Sequence, residues 1–260
     1  MKRPHQTLVF LVACLWCWAP LAQLRALPLW GIAAGSITAP AASPIAYVEA
    51  DAADFSATRS PVVNYPTPVA NDIWIAIFCA TDAADWNGTV PASSGWTKLN
   101  QGSGSIASET AAIFWKRSDG GEAATQTWTD ITAANETGRV VILVYRNCKT
   151  SGSPINASGT PVAGGSVAAH NCPSVTSSVN NCMIVGILCI DPGSATRSYV
   201  WDSPATERID HDTTVSGMKS PDAAIYVGDS ILATAGSLVI GGTFNAAEHA
   251  AKFSYALEPQ

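Results

Sequence analysis

Short apolar stretches alternate with turn-forming clusters from about residue 45 to the end of the chain. No stretch holds a 3.6-residue apolar period for three turns, whereas several alternate with a period of two. The separators, such as Asn87-Gly88 and Gly120-Gly121, consist of residues that favour tight turns. The pattern predicts an all-β protein, an antiparallel β-sandwich of jelly-roll type, with helix nearly absent.

The clearest predicted strand covers residues 71–80. Ile75 and Ile77 share one of its faces, and Trp74 and Phe78 share the other. Because both faces are apolar, we expect a cover on each side, one from an opposing sheet and one from a loop, a terminus or a second subunit. A homo-oligomer or a docked N-terminus is therefore expected. The other strands of the first half are predicted at residues 45–55, 60–65, 96–100, 110–117, 125–131 and 139–147.

The second half of the chain repeats the pattern of the first. Sliding residues 181–191 back by 110 positions lays Asn181 on Asn71 and Cys189 on Cys79, and residues 222–226 resemble residues 110–114. Two readings stay open, a duplication and an accidental similarity of strands rich in Ala and Ile. The duplication predicts halves at about 45–150 and 160–260 within one domain, residues 45–260. It also predicts that Cys79 and Cys189 are buried at equivalent places.

The N-terminal segment differs from the rest of the chain. Lys2 and Arg3 precede an uncharged, apolar run over residues 7–24, the layout of a secretory signal peptide. We interpret residues 1–30 as a leader and residues 31–44, rich in Ala, Ser, Gly and Pro, as a linker. Cleavage after Ala22 or Ala26 lacks the usual small residue upstream, so a noncleaved anchor is the alternative.

Charge is scarce and slightly negative. Only 13% of the residues are charged, and the net charge is -6. Binding to nucleic acid needs a basic stripe that neutralises phosphates, and the sequence has none, so a nucleic-acid partner is not expected. The surface must be made largely of small neutral residues, as is common in extracellular or particle-associated β proteins.

The cysteines give no metal motif. Two of the seven lie in the predicted leader, and the other five have no C-x-x-C spacing, so no zinc site and no cofactor are expected. Cys148, Cys172 and Cys182 flank the central loop. They are the three cysteines placed to pair in an oxidising compartment.

The sequence contains no recognisable catalytic motif. It has no G-x-S-x-G elbow, no H-E-x-x-H and no Walker loop. Asp210-His211-Asp212 offers three metal ligands, but a solvated turn is the simpler interpretation, and His249 is interpreted as an exposed turn residue. His170 is expected in a loop near Cys172, with nothing to fix a thiolate–imidazole pair. The chain is therefore expected not to be an enzyme.

Tryptophans are the candidate contact residues. Trp74, Trp96, Trp115 and Trp128 fall in predicted strands or at their ends, where core packing is expected. Trp86 and Trp201 fall in predicted loops. Exposed loop tryptophans stack on sugar rings or anchor protein partners, so these two are the predicted binding residues.

Four short sequence segments follow one another in a defined order along the chain. Residues 72–79 form a strand after an Asn-Asp turn, Gly95-Trp96-Thr97 follows, then Trp115-Lys116, and finally Tyr145-Arg146. In this order the chain resembles β-sandwich proteins encoded among the structural genes of tailed bacteriophages. The resemblance implies a virion component, part of a tail, a fibre or the head surface, which binds itself or other virion proteins and contacts a glycan or protein on the host. It implies no catalytic residue.

The predicted leader is unusual for such proteins. A secreted or cell-surface sandwich that acts in adhesion or binds carbohydrate is therefore the alternative.

Overall fold

Regular secondary structure in the described part of the chain is entirely β. The computed structural model describes residues 43–58, 60–80, 95–103, 110–128, 136–192, 197–211 and 223–260. The strands of the first half are β1 (Ala46–Thr58), β2 (Val62–Asn64), β3 (Ile73–Ala80), β4 (Thr97–Ser103), β5 (Thr110–Arg117), β6 (Thr125–Thr127) and β7 (Glu136–Arg146). Those of the second half are β8 (Ile155–Ser158), β9 (Val162–Asn171), β10 (Val175–Ser177), β11 (Cys182–Ile190), β12 (Tyr199–Trp201), β13 (Thr206–His211), β14 (Ala224–Leu232), β15 (Gly236–Leu238) and β16 (Gly241–Leu257).

Each half contains one large and one small antiparallel sheet. In the first half the large sheet has the order β1-β7-β3-β5-β4, and β2 pairs with β6. In the second half the order is β9-β16-β11-β14-β13, with β8 and β12 also paired to β16, and β10 pairs with β15. The predicted all-β sandwich is confirmed, and its jelly-roll form stays a prediction.

The two halves share strand order and register. Ile77 of β3 lies between Ile113 of β5 and Val141 of β7. The corresponding Ile187 of β11 lies between Val227 of β14 and Phe253 of β16. These pairings are those of a repeat, and they fit the match of residues 71–80 to residues 181–190.

Local irregularities also recur at equivalent positions. β4 bulges at Leu99, between the partners of Phe114 and Ile113, and β13 bulges at Arg208, between the partners of Gly228 and Val227. Asn71 and Asn181, which precede the two central strands, have φ values of 72° and 59°. Asn adopts this left-handed conformation more readily than most residues. Shared bulges and turns are hard to explain by composition alone.

One detail of the expected repeat is wrong. Matching residues 222–226 to residues 110–114 places Ile225 on Ile113. In the structure Ile225 pairs with Cys189 as Ala111 pairs with Cys79. The alignment was therefore off by two residues, an error that period-two alternation hides because both positions lie on the same face.

A central core joins the two halves. Ile75 and Ile77 of β3 pack in the same apolar cluster as Val185 and Ile187 of β11, so equivalent faces of the two large sheets meet. Residues 42–260 accordingly form one compact unit. Cys79 and Cys189 are both fully buried, as predicted.

The outer face of each large sheet has its own cover. In the first half Trp74 and Phe78 pack in a second cluster with Val63 of β2 and with Trp96 and Trp128. Both sides of β3 are thus covered from within the chain, one of them by the other half. The two apolar faces of residues 71–80 therefore do not require a second subunit or a docked N-terminus. The homo-oligomer stays a prediction, but the apolar faces of this strand no longer support it.

Several segments expected to be loops are strands. The predicted break over residues 148–165 contains β8 and the start of β9, His170 lies near the end of β9, and His211 ends β13. Small residues explain the misses. β9 reads Val-Ala-Gly-Gly-Ser-Val-Ala-Ala-His-Asn and has little apolar alternation, because it lies at a sheet edge where few side chains are buried.

Candidate functional site

An open cavity lies where β3 begins and β7 ends. Its volume is about 240 Å³. The lining residues are Val69, Ala70, Asn71, Asp72, Arg146, Asn147, Cys148, Thr150 and Gln260. Two left-handed asparagines, Asn71 and Asn147 (φ 64°), reverse the chain on either side of it. The Nδ2 atom of Asn147 donates to the carbonyl oxygen of Pro44 at 2.9 Å, which links the start of β1 to this rim.

A bidentate ion pair lies in this cavity. The Nε and Nη2 atoms of Arg146 donate to the two carboxylate oxygens of Asp72 at 2.8 and 2.7 Å. The Asp72 side chain is 2% exposed and that of Arg146 is 43% exposed, so the guanidinium presents the open face of the pair. Hydrogen bonding to Asp72 raises the pKa of Arg146. The arrangement suits a small polar ligand that carries hydrogen-bond acceptors.

The cavity has no activated nucleophile among the residues that line it. Burial raises the pKa of the Cys148 thiol to about 12, in spite of the nearby Arg117 guanidinium. The thiol therefore stays protonated near neutral pH, and the thiolate is the form that attacks. The cavity is consistent with binding and offers no route to covalent catalysis through Cys148.

A second polar cluster lies inside the central core, between the halves. We call Tyr47, Tyr145, Arg208 and Asp229 the interface cluster. Arg208 Nε donates to Asp229 Oδ2 at 2.8 Å, and the hydroxyl of Tyr145 donates to the same oxygen at 3.2 Å. The guanidinium of Arg208 also lies 4.8 Å from the centre of the Tyr47 ring. Each half contributes two members, so the cluster ties β1 and β7 to β13 and β14.

The interface cluster is closed to solvent at its centre. Tyr145 is fully buried and Asp229 is 1% exposed. Burial raises the pKa of Asp229 despite the hydrogen bonds from Arg208 and Tyr145, and burial together with the Asp229 charge raises the pKa of Tyr145. Shifted pKa values often mark active sites, but structural ion pairs shift them too. With no opening to Asp229, we assign this cluster to holding the halves together.

His170 is buried in the outer core of the second half. Its Nε2 atom lies 2.9 Å from the carbonyl oxygen of Val167 and 3.1 Å from that of Glu248, so Nε2 carries the proton. Its Nδ1 atom has no hydrogen-bond partner among the described residues. Burial lowers the pKa of His170 below its usual 6.5, and Lys252 lowers it further. The imidazole is therefore neutral near pH 7.

The imagined pairing of His170 with Cys172 is not formed. The thiol of Cys172 lies against the carbonyl oxygen of Ile187 at 3.9 Å, and burial raises its pKa to about 12. Among the described residues Cys148, Cys172 and Cys182 form no disulfide and are buried, and Cys79 and Cys189 are buried as well. The three cysteines that the sequence places for disulfide pairing are thus not joined by a disulfide in this structure.

Of the two predicted contact tryptophans, one can be located. Trp201 lies in β12, not in a loop, and is only 9% exposed. Its indole rests on Gly228, where an added Cβ would lie 2.5 Å from Cδ2. The expectation of an exposed position is wrong because the ring fills the space that this glycine leaves. A contact role for Trp201 stays a prediction, and Trp86 lies outside the described residues.

Sequence reasoning missed both polar sites. Asp72 and Arg146 are 74 residues apart, and Arg208 and Asp229 come to Tyr145 only through the packing of the two large sheets. In the sequence these polar residues stand within or beside stretches that are otherwise largely apolar. A carboxylate or guanidinium at an inward-facing position is the signal that could have indicated them.

Comparisons with known proteins give no relative. No protein-family model matches the chain, and neither the curated proteins nor the solved structures contain a match. Within the described ranges, no group of three or more His, Cys, Asp or Glu side chains is arranged to hold a metal ion. A search of the same ranges finds no helix with the length and hydropathy to cross a membrane.

Proposed function

We propose that this protein is a non-enzymatic structural component of a virion, which assembles into a tail, fibre or head surface and contacts the host. The observation that carries the proposal is the duplicated double sandwich. Its halves share a continuous apolar core and the buried hydrogen bond from Tyr145 to Asp229, a junction that resists hinge motion more than the polar junctions common between domains. A rigid block with few charged residues, 13% of the chain, suits a part that repeats in an assembly.

The order of sequence segments supports the same proposal. The strand after the Asn-Asp turn is β3, the Gly-Trp-Thr segment leads into β4, and the Trp-Lys and Tyr-Arg pairs lie at the ends of β5 and β7. These segments of the resemblance thus belong to one sheet. Arg146 of the last pair forms the ion pair with Asp72 at the turn of the first.

Fractionation of the native source tests the proposal. Culture lysate and medium are separated by density-gradient sedimentation, and peptides of this protein are quantified by mass spectrometry in every fraction. We expect the protein in fractions of particles that also contain nucleic acid and other virion proteins. Recovery only as free protein in the medium, with its N-terminus trimmed, would refute the virion assignment.

The open cavity favours a second candidate, a secreted or cell-surface sandwich that binds carbohydrate. Its half-exposed Arg146 and the surrounding amides can hydrogen-bond sugar hydroxyls. A glycan array probed with the protein and with Arg146→Gln tests this candidate. Binding that the substitution reduces at least tenfold supports it, and an array with no bound glycan counts against it.

A further inference from the structure

The edge strand β9 has a hydrogen-bonding side that no other described strand occupies. In the described part of the chain it pairs with β16 alone. The amide of Cys172, just after β9, donates to the carbonyl oxygen of Ile240 at 2.9 Å, so alternate residues Ala169 and Asn171 direct their backbone N–H and C=O groups away from β16. These groups are available to another strand.

The side chains of β9 leave this edge open. Val162 and Val167 are 44% and 48% exposed, and beyond the neighbouring residues of the chain no described atom lies within 4 Å of where a Cβ on Gly165 would stand. The strand has ten residues and contains no Lys, Arg, Asp, Glu or Pro. Proteins usually protect an exposed edge with such residues or with β-bulges. β9 has none of these residues, and its register with β16 shifts only on the two sides of Val167.

The equivalent edge of the first half is protected by charge. β1 occupies in its sheet the place that β9 occupies in the other, and it carries Glu49 and Asp51, whereas its Asp54 pairs with Arg139. The opposite edges are charged as well, with Lys98 in β4 and Glu207 and Asp210 in β13. Pairing two copies of β1 antiparallel would bring carboxylates close together, which destabilises a sheet. Pairing two copies of β9 brings no like charges together.

We propose that two copies of this chain associate through β9, antiparallel and about a two-fold axis, so that the two large sheets of their second halves become continuous. The inference rests on the proposed assembly function and identifies β9 as the surface through which two copies first associate. A two-fold contact uses the same segment on both copies and is the commonest form of homo-oligomer. Small side chains along β9 allow the two backbones to approach to sheet distance, and the exposed valines gain burial.

The mass of the full chain in solution tests the proposal. Light scattering after size exclusion, over a hundredfold range of concentration, compares the wild type with Val167→Lys and Ala169→Pro. Val167→Lys places like charges near each other in the pair, and Ala169→Pro removes an outward N–H without breaking a bond to β16. Val62→Lys is the matched control, since Val62 is 58% exposed on the small sheet of the first half.

We expect a dimer for the wild type and for Val62→Lys, and an increase of at least tenfold in the dissociation constant for both β9 variants. Circular dichroism and the melting temperature show whether each variant is folded. A monomeric wild type at the highest concentration, or folded β9 variants that dimerise like the wild type, would overturn the proposal. A monomer that nevertheless sediments with particles refutes only the β9 contact, whereas a β9 dimer found free in the medium refutes the virion assignment.

Discussion

Asp229 shows how much a single residue contributes to joining the halves. Its carboxylate is almost completely buried and accepts hydrogen bonds from Arg208 of its own half and Tyr145 of the other. Removing one partner of a buried ion pair leaves the other charge without compensation, a larger loss than the pair itself contributes.

We therefore expect Asp229→Ala to lower the free energy of unfolding by about 3 kcal/mol. Asp202→Ala is the control, because Asp202 is an exposed carboxylate of the same half, and its loss should change the stability by less than about 0.5 kcal/mol. Urea unfolding followed by circular dichroism measures both. Equal, small losses in the two variants would show that the interface cluster does not hold the halves together.

His170 makes the stability depend on pH in a predictable direction. Its pKa in the folded protein is lowered, chiefly by burial, so the unfolded chain binds the proton more readily. The stability that neutral His170 contributes is thus present above its unfolded pKa of about 6.5 and is lost as the pH falls through the lower, folded value.

His170→Gln removes this titration and keeps an N–H donor for the carbonyls of Val167 and Glu248. Between pH 7.5 and pH 5 the melting temperature of the wild type should fall more than that of the variant. Differential scanning calorimetry at both pH values gives the comparison, and all other titrating groups are common to the two proteins. Identical falls would mean that His170 does not titrate differently on unfolding.

At the scale of elements, β12 fits closely over a glycine of β14. Gly228 lies in register with Gly186 of β11, and the indole of Trp201 occupies the space above Gly228. The equivalent position in the first half is Phe114, which packs on Trp128 at 5.1 Å between ring centres. The first half thus fills this place with the side chain of Phe114 itself. The second half has Gly228 there, and Trp201 of β12 supplies the missing volume.

Trp201→Ala should cost about 3 kcal/mol or more of unfolding free energy, because it leaves a cavity in the outer core. Val200→Ala on the same strand, at a residue that is 68% exposed, should cost far less. Thermal and urea unfolding compare the two. A Trp201→Ala variant as stable as the wild type that loses a bound glycan or protein partner would instead establish the predicted contact role.

Strands that are buried on both faces were the easiest to predict. Their dense apolar residues define β3, β5, β7 and β11 within a few positions. β9 and β12 were missed because edge strands bury few side chains and carry little alternation. The polar sites were missed for another reason: the pairing of Asp72 with Arg146, or of Asp229 with Tyr145, depends on strand order and sheet packing.

At the scale of the whole molecule, the repeat is symmetric in topology and asymmetric in chemistry. By register, Tyr145, Arg208 and Asp229 of the interface cluster correspond to Leu257, Leu99 and Trp115 in the opposite halves. The interface cluster is therefore polar, whereas the three equivalent residues in the opposite halves are apolar. This difference favours the pairing of unlike halves, since two second halves packed together would leave Asp229 without the hydrogen bond from Tyr145.

Cleavage of the folded chain between its halves tests most directly whether they form one double sandwich. A protease site inserted between Thr150 and Ser151, both exposed, interrupts the chain where no strand passes. After cleavage, native mass spectrometry should show the two fragments as a one-to-one complex with an unchanged circular dichroism spectrum, separating only in denaturant. Fragments that separate spontaneously, each folded and monomeric, would contradict the shared central core.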